Sequence, residues 1–259
     1  MITELSRVRT GGVIINSKLP SFKIGLLLCD HVPKSLESTF DDYPKMFSDA
    51  FRSSAVKIDW HIFDVTKNEF PSHIPCCDGY LISGSRYSAN DNNNWIRSLL
   101  DITKRIHKKN IPIVGLCFGL QILAKAFSGK VAKANQGWGI GHKEYKVSQN
   151  KTTFNLKSNS RITVPVCHQD QIIELPGNAI RVASSNHCEN FIVSFGRHTI
   201  GVQGHPEFDD KYIRALIEYK KDELTESEYI TALQSHAYPK DSDLLRKIIL
   251  DFLLGKKAS

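Results

Sequence analysis

Residues 111–119 read Ile-Pro-Ile-Val-Gly-Leu-Cys-Phe-Gly, and this stretch says most about the architecture of the chain. Residues 111–116 are apolar enough for a buried strand, and residues 118–127 have the pattern of a helix that stops at Gly129. A Gly-x-Cys-x-Gly sequence at a strand-to-helix junction is typical of a nucleophile held on a sharp turn, because the flanking glycines give it room. The stretch therefore predicts a strand, a tight bend at Cys117 and a helix.

The chain before this stretch alternates short β-rich apolar runs with longer helical ones. This order is typical of an α/β protein with a mostly parallel, open sheet and helices on both faces. The predicted strands are 22–29, 56–65 and 79–83, and the predicted helices are 43–53 and 95–108.

From residue 130 onwards, short β-like pieces are separated by Gly, Asn and Ser turns, which favours a small antiparallel extension of the same sheet over a second domain. These pieces are 131–134, 144–147, 162–166, 179–184, 192–195 and 199–202, and helices are predicted at 207–219, 226–235 and 244–254. We expect residues 1–21 to be a poorly ordered extension and residues 22–259 to be a single domain.

Composition excludes several function classes. The net charge of +7 invites a nucleic-acid partner, but the densest basic stretch, residues 104–109, lies on a predicted amphipathic helix whose solvated face explains it. No aromatic-interleaved basic motif accompanies it, so we expect no nucleic-acid partner. No apolar run approaches the roughly 20 residues that a membrane span needs, and we expect no membrane association.

The six cysteines show neither a disulfide framework nor a zinc motif. Without an export signal they are expected to stay reduced, which favours a cytoplasmic protein. No Cys-x-x-Cys pair and no His-Glu-x-x-His motif occurs, so we expect no metal, and nothing indicates an organic cofactor.

Cys117 is the candidate nucleophile. A position at a helix N-terminus favours the thiolate, and the backbone N–H of Phe118 can donate to a developing oxyanion. The alternative is a buried, inert cysteine.

His205, in the sequence Gly204-His205-Pro206-Glu207, is the best placed candidate base. It follows the predicted strand 199–202, and parallel sheets carry functional groups at the carboxyl ends of their strands. Glu207 can orient the imidazole and stabilise its charged form. Taken alone, a proline and a glutamate here are also ordinary features of a helix start.

Residues 115–121 (Gly-Leu-Cys-Phe-Gly-Leu-Gln) and 204–208 (Gly-His-Pro-Glu-Phe) together resemble the class I, triad-type glutamine amidotransferase family. The resemblance runs from about residue 23 to about residue 219, includes the motifs at 78–85, 137–141 and 167–170, and is strongest to the stand-alone γ-glutamyl peptidase branch. It implies a flavodoxin-like fold and a catalytic triad of Cys117, His205 and Glu207.

The same resemblance implies an oxyanion hole from the backbone of Gly84, Ser85 and Phe118. It further implies that the glutamyl head group is bound by residues of the helix behind Cys117 and of the loops opposite it, namely Gln121, Trp138, Gly139, Gln169 and Asp170. Each of these has a plainer interpretation: Gln121 as a solvated residue, Trp138 as a loop anchor, and Asp170 as a hydrogen-bonding partner within the antiparallel piece.

One position departs from the family pattern. Many amidotransferases carry Gly-Gly-Pro at the oxyanion turn, whereas this chain has Gly84-Ser85-Arg86, as in the peptidase branch. Arg86 is then a candidate for contact with the far end of a substrate.

Together these observations favour a cysteine-nucleophile hydrolase that acts on γ-glutamyl peptides, conjugates or glutamine through a glutamyl-thioester. Its expected partner is a small γ-glutamyl substrate. Two alternatives stay open: a glutaminase subunit that supplies ammonia to a separate synthase partner, which the same triad supports equally well, and a non-catalytic regulatory relative.

Overall fold

The computed structural model describes residues 19–148, 154 and 156–255. The predicted extension at residues 1–21 lies almost wholly outside this range. The strands are β1 (Ser21–Leu28), β2 (Lys57–Asp64), β3 (Gly79–Ile82), β4 (Ile113–Leu116), β5 (Lys130–Lys133), β6 (Gly139–Val147), β7 (Arg161–His168), β8 (Asp170–Glu174), β9 (Ile180–Ser184), β10 (Ile192–Ser194) and β11 (Thr199–Val202). The helices are α1 (Tyr43–Ala50), α2 (Asn94–Lys108), α3 (Phe118–Ala126), α4 (Asp210–Tyr219), α5 (Glu226–Gln234) and α6 (Ser242–Leu253).

Within the described residues, nine of the strands form one sheet in the order β2-β1-β3-β4-β11-β10-β9-β6-β7. Neighbours from β2 to β11 are parallel, and neighbours from β11 to β7 are antiparallel. The prediction of a mostly parallel α/β sheet with an antiparallel extension is confirmed.

Helices cover both faces of this sheet. Leucines and isoleucines on one side of the strands pack with α1 and α6, whereas those on the other side pack with α2 and α3. A smaller cluster joins α4 and α5 to β6. The sheet is therefore buried on both faces, which explains the continuous apolar runs that predicted β1, β3 and β4.

The register of the central strands brings four chain segments to one edge of the sheet. Ile82 of β3 pairs with Gly115 of β4, and Leu116 pairs with Val202 of β11. The residues that directly follow these strands, together with those that follow β1, therefore emerge side by side.

The predicted start of one helix is wrong. Helix α4 begins at Asp210 and not at Glu207, because the Asp209 side chain caps it by accepting a 2.7 Å hydrogen bond from the Tyr212 backbone N–H. Residues 205–208 form a turn closed by a 3.1 Å hydrogen bond from the Phe208 N–H to the His205 carbonyl. Strand β8 was not predicted, since it pairs only with the short β5 in a separate two-stranded sheet and leaves Ile173 exposed.

None of the helices in the part of the chain that the structure describes has the length and hydropathy of a bilayer-spanning segment.

We expect Gly201→Ala to destabilise the protein, because Gly201 lets α3 approach β11. An added methyl group at this position would lie 3.0 Å from Leu120 Cβ, closer than such atoms normally approach. The cost should be about 1–3 kcal/mol in the free energy of unfolding, measured by urea titration. Gly177→Ala is the matched control, since a methyl group there meets nothing within 4 Å and should change stability by less than about 1 kcal/mol. Equal effects of the two substitutions would contradict this packing.

Candidate active site

Cys117 occupies the bend between β4 and α3. Its backbone has φ 51° and ψ −104°, a conformation that residues with a side chain rarely adopt, and its N–H donates a 2.7 Å hydrogen bond to the Val202 carbonyl. The residue is only 4% exposed. The bend sets the thiol at the carboxyl edge of the sheet and at the N-terminus of α3, as the sequence predicts.

The two glycines beside Cys117 are required by close backbone contacts. A Cβ at Gly115 would lie 2.7 Å from the Leu120 N atom, and a Cβ at Gly119 would lie 2.5 Å from the Ile82 carbonyl oxygen. These glycines allow the helix to leave the strand at a sharp angle while it packs on β3.

His205 reaches the same edge from the end of β11. Its ring lies flat against the Phe208 ring, with centroids 4.3 Å apart, and its Nδ1 is 2.8 Å from Glu207 Oε1. Both side chains are buried. Gly84 makes room for the imidazole, since a Cβ at that position would lie 2.6 Å from His205 Cε1.

The groups around His205 favour the protonated form of its imidazole. Burial alone lowers the pKa of His205, but interactions with Cys117, which include a hydrogen bond, and with Glu207 outweigh burial and raise it to about 10. The imidazole therefore lines the same cavity as the candidate nucleophile and contacts the carboxylate through its Nδ1. An ion pair of thiolate and imidazolium is the arrangement that activates a cysteine.

Gln203 is a neighbour of the thiol that the sequence interpretation missed. Its Nε2 lies 3.4 Å from Cys117 Sγ, and its side chain is completely buried. The sequence feature that could have identified Gln203 is its position directly after β11, the same strand end from which the position of His205 was predicted.

The turn that follows β3 is tied to the end of β1. Ser83 Oγ accepts a 2.8 Å hydrogen bond from the Cys29 N–H, and Ser85 Oγ donates a 2.9 Å hydrogen bond to the Cys29 carbonyl. Next to Cys29, the buried Asp30 carboxylate accepts a 2.7 Å hydrogen bond from the Arg86 backbone N–H. Sequence reasoning missed Asp30, although an acidic residue directly after a buried strand was visible.

Arg86 is largely engaged within the protein. Its Nε lies 2.8 Å from Asp30 Oδ2, its Nη2 donates a 2.7 Å hydrogen bond to the His31 carbonyl, and the hydrogen bond to Asp30 raises its pKa. The side chain still borders the cavity described next.

A cavity of about 330 Å³ opens over the Cys117 thiol. His205, Glu207 and the turn from Ser83 to Arg86 line this cavity. Its lining also includes aromatic, aliphatic and cationic side chains, among them Tyr43, Trp138, Leu216, Tyr219 and Lys220.

The family model named "Glutamine amidotransferase class-I" matches residues 40–218, which include every residue of this edge except the end of β1. The chain belongs to the class I glutamine amidotransferase family. The resemblance seen in the sequence motifs is therefore confirmed.

The relatives of this amidotransferase-family chain include both a gamma-glutamyl peptidase and a GMP synthase. It is 26% identical to gamma-glutamyl peptidase 3 of Arabidopsis thaliana over 94% of this chain and all of that protein. It is 27% identical to the glutamine-hydrolysing GMP synthase of Bacillus subtilis over 64% of this chain, which covers 31% of the synthase. A glutamine amidotransferase of Thermotoga maritima has the same fold, with a TM-score of 0.70 and 24% identity over 91% of this chain and 99% of that one.

Of the residues for which the family resemblance implies glutamyl contacts, Gln121 and Asp170 lie on the cavity wall and contact each other. Gln121 Nε2 donates a 2.9 Å hydrogen bond to the Asp170 carbonyl. Gln121 is 3% exposed, so the solvated interpretation of this residue is wrong. The Asp170 carboxylate accepts a 2.6 Å hydrogen bond from Ser88 Oγ.

The loop residues with implied glutamyl contacts are more dispersed. Trp138 and Gln169 border the cavity, whereas Gly139 begins β6 and packs against the rings of His168 and His187. The backbone N–H of Trp138 donates a 2.8 Å hydrogen bond to Glu228, so this loop is anchored to α5. Phe118 packs its ring against Trp95, while its N–H starts α3 and has no partner within the helix.

We expect Cys117→Ala to lower the pKa of His205, because the interaction with Cys117 is the largest of the effects that raise it. In the wild type the ring should stay protonated through pH 8, and in the variant it should lose its proton at a lower pH. Imidazole chemical shifts of isotope-labelled protein, followed from pH 5 to about 10.5, report this difference. Cys77→Ala removes a buried thiol elsewhere in the fold and should leave the titration unchanged. Identical curves for all three proteins would show that Cys117 and His205 do not interact.

Proposed function

We propose that this chain is a cysteine-nucleophile hydrolase of γ-glutamyl amide bonds, with Cys117, His205 and Glu207 as its catalytic triad. One observation carries the proposal: a buried thiol at a strained bend and a buried imidazole line the same cavity, and Nδ1 of this imidazole lies 2.8 Å from a buried carboxylate. Histidine held between a thiol and an orienting carboxylate is the constellation of nucleophilic acyl transfer.

In the proposed reaction, the Cys117 thiolate attacks the γ-carbonyl carbon, and the carbonyl oxygen takes up the negative charge. Backbone N–H groups of the turn at Gly84 and Ser85, with that of Phe118, stabilise this oxyanion. The His205 imidazolium then gives its proton to the leaving amine as the C–N bond breaks, which leaves a glutamyl-thioester. His205, now neutral, takes a proton from water as the water attacks the thioester, and glutamate and the thiolate are released. No metal or organic cofactor takes part.

Glu207 keeps the imidazole oriented and stabilises its charge through the 2.8 Å contact at Nδ1. The Gln203 side-chain amide donates a 3.4 Å hydrogen bond to Cys117 Sγ and is an additional candidate for positioning the nucleophile. For the glutamyl head group we propose Gln121, Gln169, Asp170 and the segment from Trp138 to Gly139.

The cavity lining favours a leaving group larger than ammonia. Besides the residues proposed for the glutamyl head group, it includes Tyr43, Leu216, Tyr219 and Lys220. This apolar and cationic surface has no role in the hydrolysis of free glutamine, so a γ-glutamyl peptide or conjugate is the proposed substrate class. We place Arg86 at the border of this region. The six free cysteines suit a reducing compartment such as the cytoplasm.

The second candidate function is that of a glutaminase subunit that passes ammonia to a synthase. The match to the Bacillus subtilis GMP synthase supports it, since the chain corresponds to about a third of that enzyme. The same triad serves both functions, and the two differ in substrate and in the need for a partner.

We expect Cys117→Ala to abolish glutamate release, because the proposed thioester forms on the Cys117 sulfur. Turnover of γ-glutamyl dipeptides should fall on the order of 10⁴-fold or more, while the melting temperature should change by less than about 4 °C. Cys77→Ala is the matched control and should retain wild-type turnover. Hydroxylamine added to the wild-type reaction should trap the thioester as γ-glutamyl hydroxamate.

The substrate panel separates the candidate functions. Release of glutamate from γ-glutamyl dipeptides by the purified chain alone supports the hydrolase, and activity restricted to glutamine supports the glutaminase subunit. A chain that, without a partner, releases glutamate from neither and forms no hydroxamate contradicts the proposed hydrolase.

We expect Asp30→Ala to lower kcat with little change in KM. Asp30 accepts hydrogen bonds from the Arg86 backbone and side chain, so its loss frees the turn that carries two of the proposed oxyanion donors. Misplaced donors weaken the transition state more than the ground state, and kcat should fall about 100-fold. Asp59→Ala, which removes a half-exposed carboxylate of β2, is the control. An effect confined to KM would mean that Asp30 binds substrate instead of positioning the turn.

A further inference from the structure

A group of three potential metal ligands lies outside the cavity. His142 belongs to β6, Asp210 is the first residue of α4, and His236 lies in a short 3₁₀ turn, Ser235–Ala237, after α5. One ring nitrogen of each histidine and one carboxylate oxygen of Asp210 all lie within 4.8 Å of one another. We call these three residues the His-Asp-His cluster.

The backbone holds the two histidines next to each other. Gly141 has φ +86°, and a Cβ at this position would lie 2.5 Å from Ser235 Oγ and 3.0 Å from Ala232 Cα. The His142 N–H donates a 2.8 Å hydrogen bond to Ser235 Oγ. The 3₁₀ turn is therefore pressed against β6, and the His142 and His236 rings have centroids 5.2 Å apart.

Asp210 is fixed independently of the histidines. It begins α4, whose start is capped by Asp209. Its Oδ1 lies 3.3 Å from His142 Nε2, and its Oδ2 forms an ion pair with Lys240. One oxygen of the carboxylate thus faces the cluster, while the other pairs with the ammonium group of Lys240, which lies outside the cluster.

The cluster contains a ring nitrogen that the protein leaves without a partner. The Nε2 of His236 is buried and has no hydrogen-bond partner among the described residues. His142 is 1% exposed and turns its Nε2 toward Asp210. Buried polar atoms normally have partners, so the unpartnered nitrogen of His236 calls for an explanation such as an unseen ion.

We propose that the His-Asp-His cluster binds one divalent transition-metal ion of the zinc class. Two imidazoles and a carboxylate are ligands that suit zinc, cobalt and nickel. Bonds of about 2.0–2.1 Å in a tetrahedral site place neighbouring ligand atoms about 3.3 Å apart, which is the separation of His142 Nε2 and Asp210 Oδ1. The half-buried His236 ring completes the set by a side-chain rotation toward the ion, and water takes the fourth position.

The site is invisible to a motif search, which explains why the sequence predicted no metal. Its ligands are separated by dozens of residues and come from a strand, a helix start and a turn that meet only in the folded chain. None of the three borders the cavity over Cys117. The ion therefore links β6, α4 and the segment after α5 and has a structural role. The inference does not depend on the proposed function.

Zinc titration of metal-free protein by calorimetry tests the proposal, after removal of bound metal with a chelator. We expect one zinc ion to bind, and His236→Ala and His142→Ala each to weaken binding by more than tenfold. His61→Ala is the matched control, because His61 Nε2 also lies 3.3 Å from a carboxylate, that of Asp59, but has no second histidine nearby in the described residues. It should bind zinc like the wild type.

Lys240→Met should change the zinc affinity in the direction opposite to that of the histidine substitutions. Lys240 places a positive charge on the outer oxygen of Asp210, so its removal should make zinc binding tighter, by about threefold or more. This variant changes a partly exposed side chain and leaves the buried ligands in place, so it stays informative if His142→Ala does not fold.

Cobalt reports the ligand type, because cysteine thiolates give an intense charge-transfer band that nitrogen and oxygen ligands do not give. We expect the d–d bands of a bound cobalt ion, without the thiolate band and with loss in His236→Ala. The proposal is wrong if the wild type binds no zinc at millimolar concentration, if binding survives in both histidine variants, or if the thiolate band shows that the cysteines hold the metal.

Discussion

The parallel pairing of β4 with β11 is the constraint on which the candidate active site depends. It sets Cys117 beside residues that follow it by more than 80 positions, so that Gln203 and His205 meet a thiol with which they have no local connection. The Cys117 N–H is itself part of this pairing through its bond to the Val202 carbonyl. A one-residue slip in this register would turn each strand's side chains to the opposite face and separate the thiol from the imidazole.

The same edge concentrates features that oppose stability. Cys117 has a strained backbone, and His205 and Glu207 place ionisable groups in a buried environment, which is costly unless such groups are paired. The surrounding sheet compensates, because its central strands are buried on both faces by helices. Rigid packing around a costly arrangement is what keeps reactive groups in place before a substrate arrives.

The sequence predicted those parts that rest on local patterns. The bend at Cys117 follows from its two glycines and the apolar run before them, and the position of His205 follows from the strand that precedes it. The hydrogen bonds of Asp30 to the turn at Arg86 join residues 56 positions apart, and no periodicity reports such a contact. The start of α4 was misplaced because the sequence offers competing helix starts, and the Asp209 cap decides between them only in three dimensions.

The turn after β3 also restricts which residues can occupy positions 84 and 86. A side chain at position 84 would displace the imidazole, since an added Cβ would lie 2.6 Å from His205 Cε1. Position 86 is different: a proline there would remove both the backbone donor and the guanidinium that Asp30 holds. An acidic residue at position 30 should therefore co-vary with arginine at position 86 and drift freely in lineages that carry the proline.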